Sequence, residues 1–373
     1  MVGHDGLVTV FLGGDVMTGR GVDQILAHPG DPQLWEEWVH SAADYVRMAE
    51  DVNGPIPAPV EDRWLWGDAL ELLDEHDPDV RLVNLETSIT GRGEPSPGKA
   101  VHYRMAPQNG GCLGIARLDA VALANNHVQD FGPTGLVDTL DALAAIGIRG
   151  TGGGRQLDEA AQPVVVGTPG RRVVIASIGT PSSGIPAAWA ATAQAPGVHL
   201  ITELSPESAR RVLDRLSSSV ESGDVVVVSV HWGSNWGFDV PGAHIEFAHQ
   251  LIDGGVSIVH GHSSHHVRPV EVYRGRLILY GCGGLIDDYE GIPGYEEYRD
   301  DLRLLYLAVI EPGTGRLARL RMAPLQARKM RLHRATASDT EFLCRMLNKI
   351  SPGQSVVVAH DGLLDLNVDS VSA

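Results

Sequence analysis

Val225-Val226-Val227-Val228-Ser229-Val230-His231-Trp232-Gly233 is the stretch on which the fold turns. A nearly unbroken apolar, β-branched run marks a central strand covered on both faces, as in a parallel sheet flanked by other layers. It ends in an imidazole. Working outward, four more apolar runs end in polar groups. Residues 7–12 lead into Gly14-Asp15, residues 80–83 into Asn84-Leu85-Glu86, and residues 121–124 into Asn125-Asn126-His127. Residues 256–259 lead into His260-Gly261-His262-Ser263-Ser264-His265-His266. Carboxylates, amides and imidazoles are thus delivered to one edge of a sheet, beyond the carboxyl ends of its strands, where α/β sheets build their sites. With 16 histidines in the chain, some would meet by chance; the shared position after a strand is what points to chemistry. Hard oxygen donors mixed with imidazole suit a divalent metal: Mn, Mg, Zn, Fe or Ca.

From residue 7 to about residue 179, apolar strands alternate with amphipathic stretches, the pattern of βαβ units. Leu136, Leu140, Leu143 and Ile146 predict a helix over 135–146, ended by Gly147. Gly150-Thr151-Gly152-Gly153-Gly154 lacks the spacing of a phosphate-binding loop and reads as a turn. Asn53-Gly54-Pro55-Ile56-Pro57-Ala58-Pro59 interrupts regular structure and is expected to wall the site. Residues 180–199, with Pro181, Gly184, Pro186, Trp189 and Pro196, read equally as a lid or as a plain surface loop. A helix over 243–252, a hairpin around Arg274-Gly275-Arg276, and a strand pair 304–310 with 317–322 follow. Residues 1–330 are expected to form one α/β domain, with 331–373 a C-terminal appendage packed on it.

A chain with 43% hydrophobic residues can bury a large core. Its net charge of −18 argues against a nucleic-acid partner, because phosphate neutralisation requires a basic face. Cys112, Cys282 and Cys344 form no paired motif, so a reduced, cytoplasmic protein is expected. Residues 1–6 have no basic character and the apolar run 7–12 is too short for a leader or membrane anchor, so neither is expected.

Four motifs carry a family resemblance: Gly13-Gly14-Asp15-Val16-Met17, Asn84-Leu85-Glu86-Thr87, Ala124-Asn125-Asn126-His127, and the closing stretch from His260 to Tyr280. The closing stretch includes Pro269-Val270-Glu271-Val272-Tyr273 and Gly275-Arg276-Leu277-Ile278-Leu279-Tyr280. Over about residues 8–322 the chain resembles the CapA family of bacterial poly-γ-glutamate capsule-biosynthesis proteins. The resemblance implies a calcineurin-like metallophosphatase fold, a four-layer α/β/β/α sandwich with two mixed sheets and metal ligands on the loops. It implies Asp15 as the first metal aspartate, Glu86 in place of the bridging aspartate, and Asn126 as a ligand. His127 would be the acid or electrophile and His231 a further ligand. His265 matches the last His of the Gly-His-x-His pattern; Ser263 stands where the pattern has its first His, and His262, one residue earlier, is a substitute ligand.

Two departures matter. Asp-x-His is here Asp15-Val16-Met17, so a thioether replaces an imidazole and the first metal position is weakened. Val128 follows His127 where phosphoesterases carry an acidic residue, which removes the expected orienting partner. One metal is therefore expected, where a phosphate clamp needs two.

A single metal held by Glu86, Asn126 and His231, with Asp15, His127 and His265 or His262 as proton-transfer groups, suits acid/base chemistry beside a carbonyl. The resemblance implies a peptide or polyglutamyl substrate and, most concretely, α-carbon epimerisation. A phosphoesterase and a noncatalytic accessory protein of polymer synthesis are the alternatives. Lys99, Arg104 and Arg268 are candidates for gripping a substrate carboxylate, and Trp232, with Trp236 and Trp189, for an aromatic wall.

Overall fold

The computed structural model describes residues 6–368. Two mixed sheets lie face to face at its centre. The path of the larger runs Val356–Val358, Leu364–Leu366, Arg316–Ala327, Leu302–Glu311, Val8–Val16, Val80–Leu85, Ala120–Ala122 and Arg149–Thr151. Gly284–Ile286 lies beside Val8–Val16, and Leu332–Arg334 beside Arg316–Ala327. The smaller sheet runs Val270–Tyr273, Arg276–Leu279, Ile258–His262, Val225–His231, Arg171–Gly179 and Val164–Thr168. Val8–Val16, Val80–Leu85 and Ala120–Ala122 are parallel in one sheet, and Arg171–Gly179, Val225–His231 and Ile258–His262 in the other.

Strand periodicity assigns the faces. Val8, Val10 and Leu12 meet Val173, Ile175, Val225 and Val227 in the core between the sheets. Val226, Val228 and Val230 point the other way, onto helices Pro206–Ser217 and Gly242–Asp253. Both faces of that strand are covered, which is why its sequence never alternates. Phe11, Val83 and Val121 pack outward against helices Ala69–His76 and Gly132–Ala145. The result is the four-layer α/β/β/α sandwich.

The hairpin turns on Arg274 and Gly275, both at positive φ, the twist-matched two-residue connection. The glycine-rich 150–154 stretch is more than a turn: it contributes to strands Arg149–Thr151 and Gly153–Gly154, broken at Gly152. Gly152 has φ +88°, and a Cβ there would lie 2.6 Å from Ser177 Oγ. Beyond residue 331, Leu332–Arg334 and Leu364–Leu366 hydrogen-bond directly to Arg316–Ala327, and helix Ala337–Ile350 buries Leu343 and Leu347 in the inter-sheet core. Cys112, Cys282 and Cys344 are free thiols. Among the described residues, no helix is long and apolar enough to cross a membrane.

Candidate metal and acid/base centre

The two sheets bring their polar strand ends together. In the larger sheet Asp15 is the register partner of Asn84 and Gly284. A Cβ on Gly14 would fall 1.8 Å from the Gly283 carbonyl oxygen, so only glycine lets these strands approach closely enough for Asp15 N–H to donate to Gly283 O at 3.0 Å. In the smaller sheet His231 is the register partner of His262, and Ser229 of His260. The sheets are tied at this edge by His260 Nε2 and the Gly13 carbonyl, 2.9 Å apart.

Asn84 Nδ2 donates to both Asp15 Oδ1 (2.7 Å) and Glu86 Oε2 (2.8 Å), holding two buried carboxylates side by side. Burial pushes the Asp15 carboxyl up to about 7. Burial, and then repulsion by Asp15, raises Glu86 well above its usual range. Asp15 Oδ2 is buried with no hydrogen-bond partner.

Imidazole tautomers can be followed from a fixed acceptor. The Gly13 carbonyl accepts from His260 Nε2, so His260 Nδ1 is the acceptor for the Ser229 hydroxyl at 3.0 Å. Ser229 Oγ then accepts from His262 Nε2 at 2.8 Å, and His262 Nδ1 accepts from His231 Nδ1 at 2.8 Å. Burial lowers all three imidazole pKa values, so each carries a single ring proton near neutrality. His231 Nε2 therefore presents a lone pair, and it faces Asn126 Oδ1 at 2.8 Å and Glu86 Oε1 at 3.6 Å. Reversing the Asn126 amide would supply one donor there and still leave Asp15 Oδ2 without one. Converging lone pairs and carboxylates form an environment that a divalent cation satisfies. Asp15, His231 and His262 have ligand atoms within 4.8 Å of one another. The donor set fits the metal expected from the sequence.

Beside this cluster opens a cleft of about 370 Å³, lined by Lys99, Asn126, His127 and His265 among others. His127 has an orienting partner, supplied not by residue 128 but by Asp130: His127 Nδ1 donates to Asp130 Oδ2 at 2.6 Å. Asp130 also accepts from Tyr103 N–H at 2.7 Å and pairs with Lys99. His127 Nε2 is thus left as a proton acceptor, 3.9 Å from Glu86 Oε1. Burial first, opposed by Asp130, sets the His127 pKa at about 4, so the ring is neutral and able to take a proton. His265 Nε2 lies 3.4 Å from the Tyr289 hydroxyl.

The bacterial capsule synthesis protein PGA_cap family model matches residues 9–289. The chain belongs to that family. A probable polyglutamine synthesis accessory protein of Mycobacterium tuberculosis is 50% identical over 98% of this chain and 97% of its own length. The PGA biosynthesis protein CapA of Bacillus subtilis is 25% identical, covering 84% of this chain and 70% of its own. The capsule biosynthesis protein CapA of Bacillus anthracis is 24% identical over 75% and 60%. Among solved structures, TT1561 of Thermus thermophilus aligns over 83% of this chain and 97% of its own, with 10% identity and a TM-score of 0.36.

In this family member the other residues expected from the sequence divide by place. Arg104, Trp232 and Arg268 do not line the cleft. Trp232 is 1% exposed, stacked on His244 at 4.8 Å, with its indole N–H on the Tyr280 carbonyl. Arg268 is buried and donates to the Ser234 and Trp236 carbonyls, bracing the loop after His231. Arg104 lies over the Phe131 ring, 4.3 Å from its centroid, at a separate surface pocket. Trp236 lines the cleft, and Trp189 sits 4.9 Å from Lys99 Nζ. Met17, in the place of the missing imidazole, is buried and accepts from the Tyr289 hydroxyl at 3.3 Å.

Sequence reading missed Asp130, Arg20, Tyr45, Tyr103 and Tyr289. Arg20 is held by Asp288 and Glu36 and lies over the Tyr45 ring at 3.7 Å, forming a rigid cationic part of the cleft wall. Asp130 alone left a sequence signal, lying three residues after His127 in the same loop.

Proposed function

We propose that this chain is a metal-dependent enzyme of polyglutamyl-polymer synthesis that moves a proton at the α-carbon of a residue in its peptide or polyglutamyl substrate, converting L to D. The observation that carries the reading is His127. Its Nδ1 is committed to Asp130, its pKa is low, and its Nε2 lone pair lies between an open cleft and a carboxylate–imidazole cluster. The printed names of the Mycobacterium and Bacillus relatives support polymer synthesis as the setting.

Asp15, Glu86, Asn126 and His231 Nε2 would hold the cation, whose chemistry when bound is to polarise a carbonyl and stabilise the enolate oxygen; His262, its Nδ1 accepting from His231 and its Nε2 donating to Ser229, would orient His231. His127 Nε2 is placed to accept the α-proton. His265, held neutral by burial at about 3, lies beside the Tyr289 hydroxyl on the cleft wall and would be the second proton-transfer group, so that both rings start neutral. Lys99, 14% exposed at the cleft wall, is the cation offered to a substrate carboxylate, Arg20 being committed to Asp288 and Glu36.

Phosphoester hydrolysis is disfavoured by Met17, whose thioether occupies the place of a second hard-metal ligand. The accessory reading is favoured by the printed name of the Mycobacterium relative. The deciding experiment incubates metal-replete protein with γ-linked glutamyl oligomers in D₂O and follows α-deuterium by mass spectrometry, with His127→Ala as the control. Uptake that disappears in the variant supports the enzyme; no uptake, with oligomer binding intact, supports the accessory role.

A further inference from the structure

A second cavity, of about 520 Å³, adjoins the cleft and shares Tyr289, Ile292 and Asp300 with it as walls. Its deep side holds Arg303, a guanidinium 2% exposed. Asp287 takes only Nη2, at 2.7 Å; Nε and Nη1 are buried and have no partner. Buried donors on a charged group are rarely left unmade, so two on a side chain that lines a cavity point to an absent acceptor. Asp300 lines the same cavity; burial raises its carboxyl to about 6, opposed by Arg303, with which it forms no ion pair among the described residues.

The cavity lining thus carries unmade donors and an acceptor that are not joined to each other. A free carboxylate would satisfy Arg303 but would be repelled by Asp300; of the other charged lining residues, Arg299 is committed to Asp301 and Asp339, and Glu290 and Glu296 outnumber Arg328. An amide fits both: its C=O accepts from Arg303 and its N–H donates to Asp300.

We infer that this second cavity is a subsite for an amide group of the chain substrate, held between Arg303 and Asp300 while another residue of the same chain occupies the cleft beside His127. The inference rests on the chain-substrate reading above. It makes the protein a reader of polymer length: a short oligomer fills the cleft alone, and a longer one engages both.

The test is calorimetric titration of the full chain with a γ-linked glutamyl dimer and tetramer. The variants are Asp300→Asn, which keeps side-chain volume on a half-buried loop, and Arg303→Lys, which keeps the charge opposite Asp287 and removes the free donors. The tetramer is expected to bind at least tenfold more tightly than the dimer. Arg303→Lys, at a residue that does not line the cleft, should remove most of that advantage and leave dimer affinity unchanged; Asp300→Asn, at the shared wall, should bring the ratio of tetramer to dimer affinity toward one. Equal binding of dimer and tetramer, insensitive to both variants, overturns the subsite and leaves the chain-substrate reading standing. A tetramer advantage untouched by the variants also overturns it. Tighter tetramer binding in Asp300→Asn overturns the amide assignment in favour of a carboxylate, since removing a negative charge would then help. Failure of either oligomer to bind overturns the chain-substrate reading and the subsite with it.

Discussion

Replacing Asp130 by Asn changes one charge and almost no volume, and its effect on His127 can be worked from the geometry. Asp130 Oδ2 accepts at once from His127 Nδ1 (2.6 Å) and Tyr103 N–H (2.7 Å), and its other oxygen pairs with Lys99. An Asn oxygen can keep the Tyr103 bond, which turns its NH₂ toward Lys99; the opposite rotamer turns it toward His127. Either way a cation–anion contact is lost and the Nδ1–H tautomer is no longer enforced. If His127 is the base, moving its proton to Nε2 removes the acceptor and should lower turnover by about 10²–10⁴. Lys99 keeps some water and the Asn126 carbonyl, its side chain being 14% exposed, so the stability cost should be about 1–3 kcal/mol and not the full cost of a stranded buried charge. Burial alone would raise the Asp130 carboxyl, but His127 and Lys99 hold it below its ordinary value. A carboxyl depressed in the folded state stabilises above its unfolded pKa and loses that contribution as pH falls through the folded value, so the gap between wild type and variant should narrow below about pH 4. Nitrogen-15 NMR of labelled histidine reads the tautomer directly, without any substrate. An Nε2–H tautomer in the wild type, or the same His127 signature in both proteins, would refute the orienting role of Asp130.

Four other outcomes follow from the structure. His231→Ala should lose bound metal by elemental analysis, and chelation should lower the wild-type Tm by a few degrees and leave the variant's Tm unmoved; about 2.7 kcal/mol of stability is at stake for a metal at one hundred times its Kd. In the metal-free protein, Asp15, raised to about 7, keeps a proton that the unfolded chain has released, so stability from this group should fall between about pH 4 and pH 7 and metal should bind more tightly as pH rises through that window; urea titrations at several pH values would show no contribution from this group, identical in Asp15→Asn, if Asp15 were ionised throughout. Met17→His should raise metal stoichiometry above that of the wild type, and an unchanged stoichiometry would mean that residue 17 does not set the metal count. Arg268→Met should cost about 1–3 kcal/mol in urea unfolding through the unbraced Ser234–Trp236 loop while leaving oligomer affinity in the folded fraction unchanged; weakened binding at equal stability would return Arg268 to the substrate.

What could be read from the sequence and what could not divide along one physical line. Val225–His231 announces itself because a strand buried on both faces has no polar side to interrupt its apolar run, and the first polar residue after it marks the end of the strand. The same logic places Asp15, Glu86, Asn126, His231 and His262 at one edge, since parallel strands in register end together. No such periodicity governs the walls of the cleft. Arg20, Tyr45 and Tyr289 arrive from three distant segments, and what joins them is a cation over aromatic rings and an ion pair spanning 268 residues of sequence, Arg20 with Asp288. Trp232 and Trp236 illustrate the limit within five residues. Both follow the same strand and look equally suited to a substrate wall, yet the first is still inside the sheet's outer core, stacked on His244, and the second has passed Gly233, at φ +78°, where the chain turns out toward the cleft. Composition assigns the two tryptophans the same role; the backbone reversal between them separates packing from contact with a ligand.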